Sequence, residues 1–98
     1  MSGNRLYPPY GPYANWPKPP AKYLVPRGTR VEVTCEGRVF RGYVCSKGGN
    51  ADPHRPEYTL WVCPRPLTGQ FPEPESRGYP LECVRILSLL ELIAEAAA

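Results

Sequence analysis

The sequence has few of the residues on which catalysis and metal binding usually depend. It contains a single histidine, His54, and no Cys-x-x-Cys pair. No apolar run reaches the length of a membrane span, which argues against an integral membrane protein. The first residues, Met1–Asn15, contain no apolar segment typical of a secretory signal. We therefore expect a cytoplasmic protein with no membrane partner.

The four cysteines are too far apart in the sequence to suggest a metal site. Cys35, Cys45, Cys63 and Cys83 do not form the close ligand pairs that structural zinc sites use. A disulfide framework needs an oxidising compartment, which the absence of a signal segment does not support. We expect four reduced cysteines that act as small apolar side chains, with no metal and no cofactor. Zinc and disulfides are the alternatives.

Proline is abundant, and it divides the chain into segments. Fourteen prolines and nine glycines are too many for a helical bundle and suit short strands separated by turns. Residues 1–23 are predicted to form an extended arm rich in proline and tyrosine. Its rings, Tyr7, Tyr10, Tyr13 and Trp16, favour docking on a partner or a neighbouring subunit. A disordered tail is the alternative.

Residues 24–87 are predicted to form one β-domain. Thr29–Cys35 alternates between apolar and polar residues, as a half-buried strand does. Glu36–Gly37 predicts a tight turn into a second strand, Arg38–Cys45, in which Gly42 predicts a bend or bulge. Further strands are expected over Glu57–Cys63 and near Val84–Leu87, with long loops at Ser46–Pro56 and Pro64–Gly78.

Residues 88–98 predict a short amphipathic helix. Ser88 and Glu91 have the spacing of a capping box. An apolar stripe follows at helical spacing: Leu89, Leu90, Leu92, Ile93 and Ala96. So short a helix is unstable alone in water, so the stripe must pack on something. It either packs on its own barrel or associates with a second copy of the chain.

The strand pattern resembles that of SH3-like small β-barrels such as Tudor domains. The segments that carry the resemblance are Gly28–Val33, Gly37–Val44, Tyr58–Val62 and Tyr79–Arg85. It implies an all-β fold, a closed five-stranded SH3-like barrel, between the N-terminal arm and the C-terminal helix. Because such barrels perform many unrelated functions, the resemblance implies a fold and no single activity.

A second, distant resemblance is to the type B dihydrofolate reductases, which are short chains with an N-terminal arm and one such barrel. Those enzymes assemble as tetramers around a central pore, with a Val-Gln-Ile-Tyr signature before the last strand. The matching stretch here is Ser76–Tyr79, and only Tyr79 agrees. The glutamine and isoleucine that would contact folate and nicotinamide are missing. A reductase is therefore an alternative function.

Aromatic residues of the second and third strands suggest a ligand site. Tyr43, Tyr58 and Trp61, with Glu57, have the composition of a Tudor-like cage that holds a cation against aromatic rings. Strict alternation places Trp61 outside the barrel interior. The alternative is that the C-terminal helix or the arm covers Trp61.

Basic residues suggest a second kind of partner, single-stranded nucleic acid or RNA. The formal net charge is +3, and the basic residues that could contact phosphates are Arg27, Arg30, Arg38, Arg41, Lys47 and Arg55. The rings between them, Phe40, Tyr43 and Trp61, could stack on unpaired bases. The alternative is that these cations pair with Glu32, Glu36 and Glu57 on neighbouring strands.

Catalysis has little support. His54 lies in a polar loop near Asp52 and Ser46, and nothing in their spacing orients a nucleophile toward a base. We therefore predict no catalytic residue and no enzymatic activity. The function that the sequence favours is a binding or assembly module that makes protein–protein contacts and self-associates through the arm and the C-terminal helix.

Overall fold

The computed structural model describes residues 20–49 and 57–98. Over these ranges the chain forms one antiparallel sheet of five strands with the order β4-β3-β2-β1-β5. Two 3-10 turns, Ala21–Leu24 and Leu81–Cys83, precede β1 and β5, and a helix follows the sheet. The elements are β1 (Arg30–Cys35), β2 (Arg38–Gly48), β3 (Thr59–Cys63), β4 (Arg77–Pro80), β5 (Val84–Ile86) and α1 (Leu89–Ala97).

The prediction of short strands followed by a C-terminal helix is confirmed. Most of the predicted arm, residues 1–19, lies outside the described residues, as do Arg55 and His54. The last residues of the arm are described, and they form the 3-10 turn Ala21–Leu24. Lys22 Nζ donates a hydrogen bond to the carbonyl of Leu81 at 2.8 Å, which ties this turn to the sheet.

The β1–β2 hairpin forms where the sequence predicted it. Glu36 and Gly37 connect the strands with φ angles of 51° and 80°. Positive φ at both central residues is the geometry of a type I′ turn, whose twist matches that of paired strands. The register that results sets Val33 opposite Phe40 and Cys35 opposite Arg38.

The core is built from alternate residues of the central strands. Because successive side chains of a strand point to opposite faces, one face of the sheet collects the apolar positions. The residues of this face with less than 2% exposure are Val31, Val33, Val44, Leu60, Val62 and Val84. Trp61 lies between two of them on β3 and is 40% exposed, so the prediction that it points away from the core is confirmed.

Two details of the predicted sheet are wrong, the strand bounds and the place of the bulge. β2 continues to Gly48, three residues past the predicted end at Cys45, and β3 begins at Thr59 instead of Glu57. The bulge lies between Val44 and Ser46 rather than at Gly42. Gly42 is instead a point of close approach, because a Cβ there would clash with the carbonyl of Cys63 and lie 2.7 Å from a methyl of Val62.

The predicted closure of the sheet is also wrong. Among the described residues, β4 and β5 are unpaired edges, joined by the turn Leu81–Cys83. β5 is only three residues long and offers little backbone for a further ladder. β4 itself was not recognised from the sequence, because its four residues end in a proline and alternate too briefly to distinguish them from a loop.

The start of α1 confirms the predicted capping box. Ser88 Oγ accepts a hydrogen bond from the Glu91 amide at 3.1 Å, and Glu91 Oε1 accepts one from the Ser88 amide at 2.8 Å. Two of the amide groups at the start of the helix are therefore satisfied.

The close approach at Gly42 can be tested against a glycine with a different requirement. We expect Gly42→Ala to lower the free energy of unfolding by about 2 kcal/mol, because the new methyl group overlaps β3. Gly37→Ala meets no atom within 4 Å and carries only the strain of a positive φ, so about 1 kcal/mol is expected. Urea unfolding measures both, and a larger loss in Gly37→Ala would contradict the packing described.

Candidate functional site

Charged side chains attach α1 to the sheet. Three strands, β1, β2 and β5, each carry one arginine on the face opposite the valine core: Arg30, Arg41 and Arg85. Glu91 and Glu95 are four residues apart and therefore lie on the same side of the helix. These two carboxylates meet the three arginines.

The contacts are short, and two of them are paired. Arg30 donates from Nε and Nη2 to the two oxygens of Glu95 at 3.0 and 2.6 Å. Arg85 donates from Nη1 and Nη2 to the two oxygens of Glu91, both at 2.8 Å. Arg41 reaches both acids, at 3.2 Å from Glu91 and 3.4 Å from Glu95. Paired guanidinium–carboxylate contacts fix orientation as well as distance, so they determine which side of α1 faces the sheet.

These contacts keep both helix carboxylates ionised. Hydrogen bonds from Arg85, assisted by the Ser88 amide, hold the pKa of Glu91 well below its usual value. Hydrogen bonds from Arg30 lower the pKa of Glu95 in the same way. A carboxylate with a lowered pKa stabilises the folded state above its usual pKa and loses that contribution as the pH falls through the lowered value. The attachment of α1 should therefore survive mild acid.

The other side of α1 is apolar and exposed. Leu89, Leu90 and Ile93 are 73%, 78% and 55% exposed, and Leu92 is 36% exposed. The two glutamates are the only charged residues of the helix, and both face the sheet. We call the four exposed apolar residues, Leu89, Leu90, Leu92 and Ile93, the outer helix face. The sequence left two alternatives for the apolar stripe. In the described residues the stripe does not pack on its own sheet.

The predicted cage residues have separate surroundings. The guanidinium carbon of Arg30 lies 4.1 Å from the centre of the Tyr43 ring. The ring of Tyr58 lies 4.7 Å from that of Tyr23 in a tilted contact. The structure brings Tyr58 and Glu57 together along one cavity of about 380 Å³, which neither Tyr43 nor Trp61 lines.

Trp61 lies between glycines of the two neighbouring strands. A Cβ at Gly48 would be 3.0 Å from the indole nitrogen, and one at Gly78 would be 3.1 Å from the indole ring. The ring also lines a cavity of about 180 Å³ with Phe71 and Pro72. The adjacent strands and the loop that carries Phe71 and Pro72 therefore cover part of Trp61. The arm, which was one of the predicted covers, lies mostly outside the described residues.

Several of the predicted phosphate-binding residues are engaged in contacts within the chain. Arg30 and Arg41 are engaged by the carboxylates of α1. Lys47 Nζ lies 5.4 Å from the centre of the Tyr23 ring. Arg55 lies outside the described residues.

Arg27 pairs with a buried acid that sequence reasoning did not single out. Glu73 is 4% exposed and accepts hydrogen bonds from the Thr68 amide and hydroxyl at 2.9 and 2.8 Å and from the Gly69 amide at 3.0 Å. Arg27 donates to Glu73 at 2.7 Å and to the carbonyl of Cys45 at 2.9 Å. The hydrogen bonds from Thr68 lower the pKa of Glu73. This cluster holds the loop between β3 and β4, residues 64–76, against β2. We call it the proline-rich loop.

A groove opens where β2 extends past the end of β3. β2 pairs with β3 only from Tyr43 onward, so Arg38 and Phe40 have no strand on that side. These two side chains share one face of β2, and β4 contributes Arg77 and Tyr79 in the same alternating manner. The groove has a volume of about 490 Å³. We call it the aromatic groove.

Two rings and two guanidinium groups line the aromatic groove. Phe40 and Tyr79 meet edge to face, with ring centres 5.7 Å apart and planes at 61°. Arg38 and Arg77 are exposed, and neither forms a hydrogen bond or ion pair with any residue that the structure describes. Sequence reasoning named Arg38 and Phe40 as nucleic-acid contacts and Tyr79 only as the residue shared with the reductase signature. It assigned no role to Arg77, because β4 had not been recognised.

The cysteines form two neighbouring pairs and are not bridged. Cys63 interacts with Cys45, and Cys83 interacts with Cys35. Burial raises the pKa of Cys63 to about 12, so this group is a protonated thiol at neutral pH. Within residues 20–49 and 57–98, no three side chains of His, Cys, Asp or Glu converge as a metal-binding group.

Known proteins supply no family for this chain: no family model, no curated protein and no solved structure matches it. In the part that the structure describes, no helix has the length and apolar character needed to cross a bilayer. The candidate sites are therefore the outer helix face and the aromatic groove, and each is defined by its own geometry.

Removing both helix carboxylates should release α1 while the sheet stays folded. In Glu91→Gln/Glu95→Gln the three arginines lose every ion pair with α1, although Arg41 and Arg85 keep Glu32 of β1. We therefore expect the amides of α1 to lose hydrogen-exchange protection while those of Val31 and Val33 keep theirs. Glu82→Gln, at an exposed acid on the neighbouring turn, is the control and should change neither. In the wild type, α1 should stay protected at about pH 4 and lose protection only in stronger acid. Unchanged protection of α1 in the double variant would contradict the ionic attachment.

Neutralising Glu73 should loosen the proline-rich loop in a pH-dependent way. In Glu73→Gln one carboxylate oxygen becomes an amide group that cannot accept from Thr68 or Gly69, so the urea midpoint should fall at neutral pH. Because the pKa of Glu73 is lowered, its contribution is present above its usual value and disappears in acid, where the two proteins should converge. Glu75→Gln, at an exposed surface pair, should behave like the wild type at every pH.

Proposed function

We propose that this chain is a non-catalytic assembly module that binds a second copy of itself through the outer helix face. The observation that carries the proposal is the orientation of α1, whose charged side faces the sheet and whose leucines face outward. A surface helix of a monomeric protein usually has the opposite orientation, with its apolar side on the core. An exposed cluster of large apolar residues of this kind marks an interaction surface.

The chemistry of the outer helix face favours a second copy as the partner. In a two-fold dimer each surface meets its own counterpart, so a charge on it would face a like charge. Leu89, Leu90 and Ile93 present none, and the three alanines beside them are also exposed. The charges beneath them are neutralised within one chain, because three arginines share three carboxylates, those of Glu91, Glu95 and Glu32.

The size of α1 sets the expected strength of this association. A helix of nine residues is about 13 Å long, so two such helices bury less surface than a typical stable interface. The predicted contacts of the arm, residues 1–23, would add further area. We therefore expect a dimer that dissociates in the micromolar range.

We also propose that the sheet is an SH3-like barrel and that the protein is cytoplasmic. A sheet of order β4-β3-β2-β1-β5 with a 3-10 turn before its last strand supports an SH3-like barrel, open at the β4 and β5 edges. Four unbridged cysteines support a reducing, cytoplasmic location. In this proposal the barrel is a scaffold that holds α1 in a fixed orientation, and it performs no reaction.

Polar substitution of the outer helix face should abolish self-association. We expect the wild-type mass to rise from monomer toward dimer with concentration in sedimentation experiments. Leu89→Gln/Leu90→Gln/Ile93→Gln should remain a monomer throughout, because glutamine keeps helix propensity but removes the apolar surface. Leu24→Gln is the matched control, since Leu24 is also exposed, at 47%, but lies outside α1. It should associate as the wild type does.

Two results would contradict the proposal. One is a wild-type mass that stays monomeric at every concentration. The other is a triple variant that associates as strongly as the wild type while α1 remains folded by circular dichroism.

A further inference from the structure

Arginines that lack a carboxylate partner occur at one place in the described structure. Of its arginines, those that form ion pairs are Arg27, Arg30, Arg41, Arg65 and Arg85. The remaining two, Arg38 and Arg77, come from strands that are not neighbours in the sheet, and both line the aromatic groove. Two uncompensated guanidinium groups that meet in one groove form a site for anionic groups.

The rings of the groove add a second kind of recognition. Phe40 and Tyr79 are partly buried against the core, which fixes their positions, and they still line the groove. Each ring lies two residues from an unpaired arginine on its own strand, so a flat group on the rings lies close to a cation. A volume of about 490 Å³ is within the range of small-molecule sites.

We propose that the aromatic groove binds single-stranded nucleic acid, with unpaired bases against Phe40 and Tyr79 and phosphates on Arg38 and Arg77. The proposal is independent of self-association, because the outer helix face contributes no residue to the groove. Stacking on aromatic rings combined with cationic contacts to the backbone is how proteins bind single strands without reading their sequence.

The surroundings of the groove favour this ligand over an acidic peptide. Carboxylates of a peptide would use the two arginines and leave the rings without a flat partner, whereas a nucleotide uses both. Glu75 is the one acid that lines the groove, and Arg65 neutralises it at 3.2 Å. A duplex is disfavoured because its bases are already stacked and cannot reach the rings.

Fluorescence anisotropy with labelled oligo(dT) and oligo(U) at low salt tests the proposal. We expect both strands to bind the wild type. Arg38→Ala and Arg77→Ala should each weaken binding about tenfold and reduce the slope of log affinity against log salt by about 0.7, the value for one lost phosphate contact. Lys47→Ala removes one positive charge away from the groove and should leave affinity and slope nearly unchanged.

The rings are tested separately, with variants that preserve packing. Phe40→Leu and Tyr79→Leu keep most of the buried volume but remove the aromatic face, so each should weaken binding about tenfold with little change in salt slope. Thermal unfolding checks that both variants are folded. If one is not, upfield shifts of the ring protons of Phe40 and Tyr79 in nuclear magnetic resonance spectra of the wild type with the strand still report stacking.

Several results would overturn the proposal. They are no binding of either strand by the wild type at low salt, equal losses in Lys47→Ala and the groove variants, and tighter binding of a duplex. An acidic peptide that displaces the strand from the wild type at equal concentration would also overturn it, in favour of a peptide site.

Discussion

Guanidinium–carboxylate pairs between the sheet and α1 are the interaction on which the rest of this structure depends. The face of the sheet that they occupy is the polar one, opposite the valine core. A helix laid on that face must turn its charged side inward, and its leucines then have only the outside to occupy. Arg30 and Arg85 each hold a carboxylate with two donors, so the orientation of the helix is specified as well as its position.

Alternation along β2 separates the two candidate sites. Arg41 points to the polar face and contacts α1, whereas Arg38 and Phe40 point to the core face and line the aromatic groove. The groove exists because β2 is longer than its partner β3, which leaves the first part of β2 without a neighbour on one side. One long strand therefore contributes to the attachment of the helix and to a separate cavity.

The sequence predicts what depends on local pattern. Alternation located β1 and β3, the Glu36–Gly37 pair located the hairpin turn, and the spacing of Ser88 and Glu91 located the start of α1. The orientation of α1 could not be predicted this way, because it depends on ion pairs between residues as distant as Arg30 and Glu95. An apolar stripe alone suggests packing on a core. In the structure, the charged side of the helix contacts the sheet instead.

The candidate sites were predicted less completely, for the same reason. The sequence places Tyr43, Tyr58 and Trp61 on two strands that are predicted to be neighbours. In the fold, each of these residues contacts different groups. The aromatic groove joins the start of β2 to β4, a strand whose brevity and terminal proline hide it from pattern analysis. The groove depends on the pairing of strands that are far apart in the sequence, so no local sequence pattern predicts it.

Isotope-filtered nuclear Overhauser spectroscopy tests the central claim most directly, on a sample that mixes labelled and unlabelled chains. Contacts between the methyl groups of Leu89, Leu90 and Ile93 of one chain and protons of another are the result that our account predicts. Contacts of those methyl groups with Glu32 or Arg41 of their own sheet would contradict it, because the helix would then lie on the same face of the sheet with its apolar side inward.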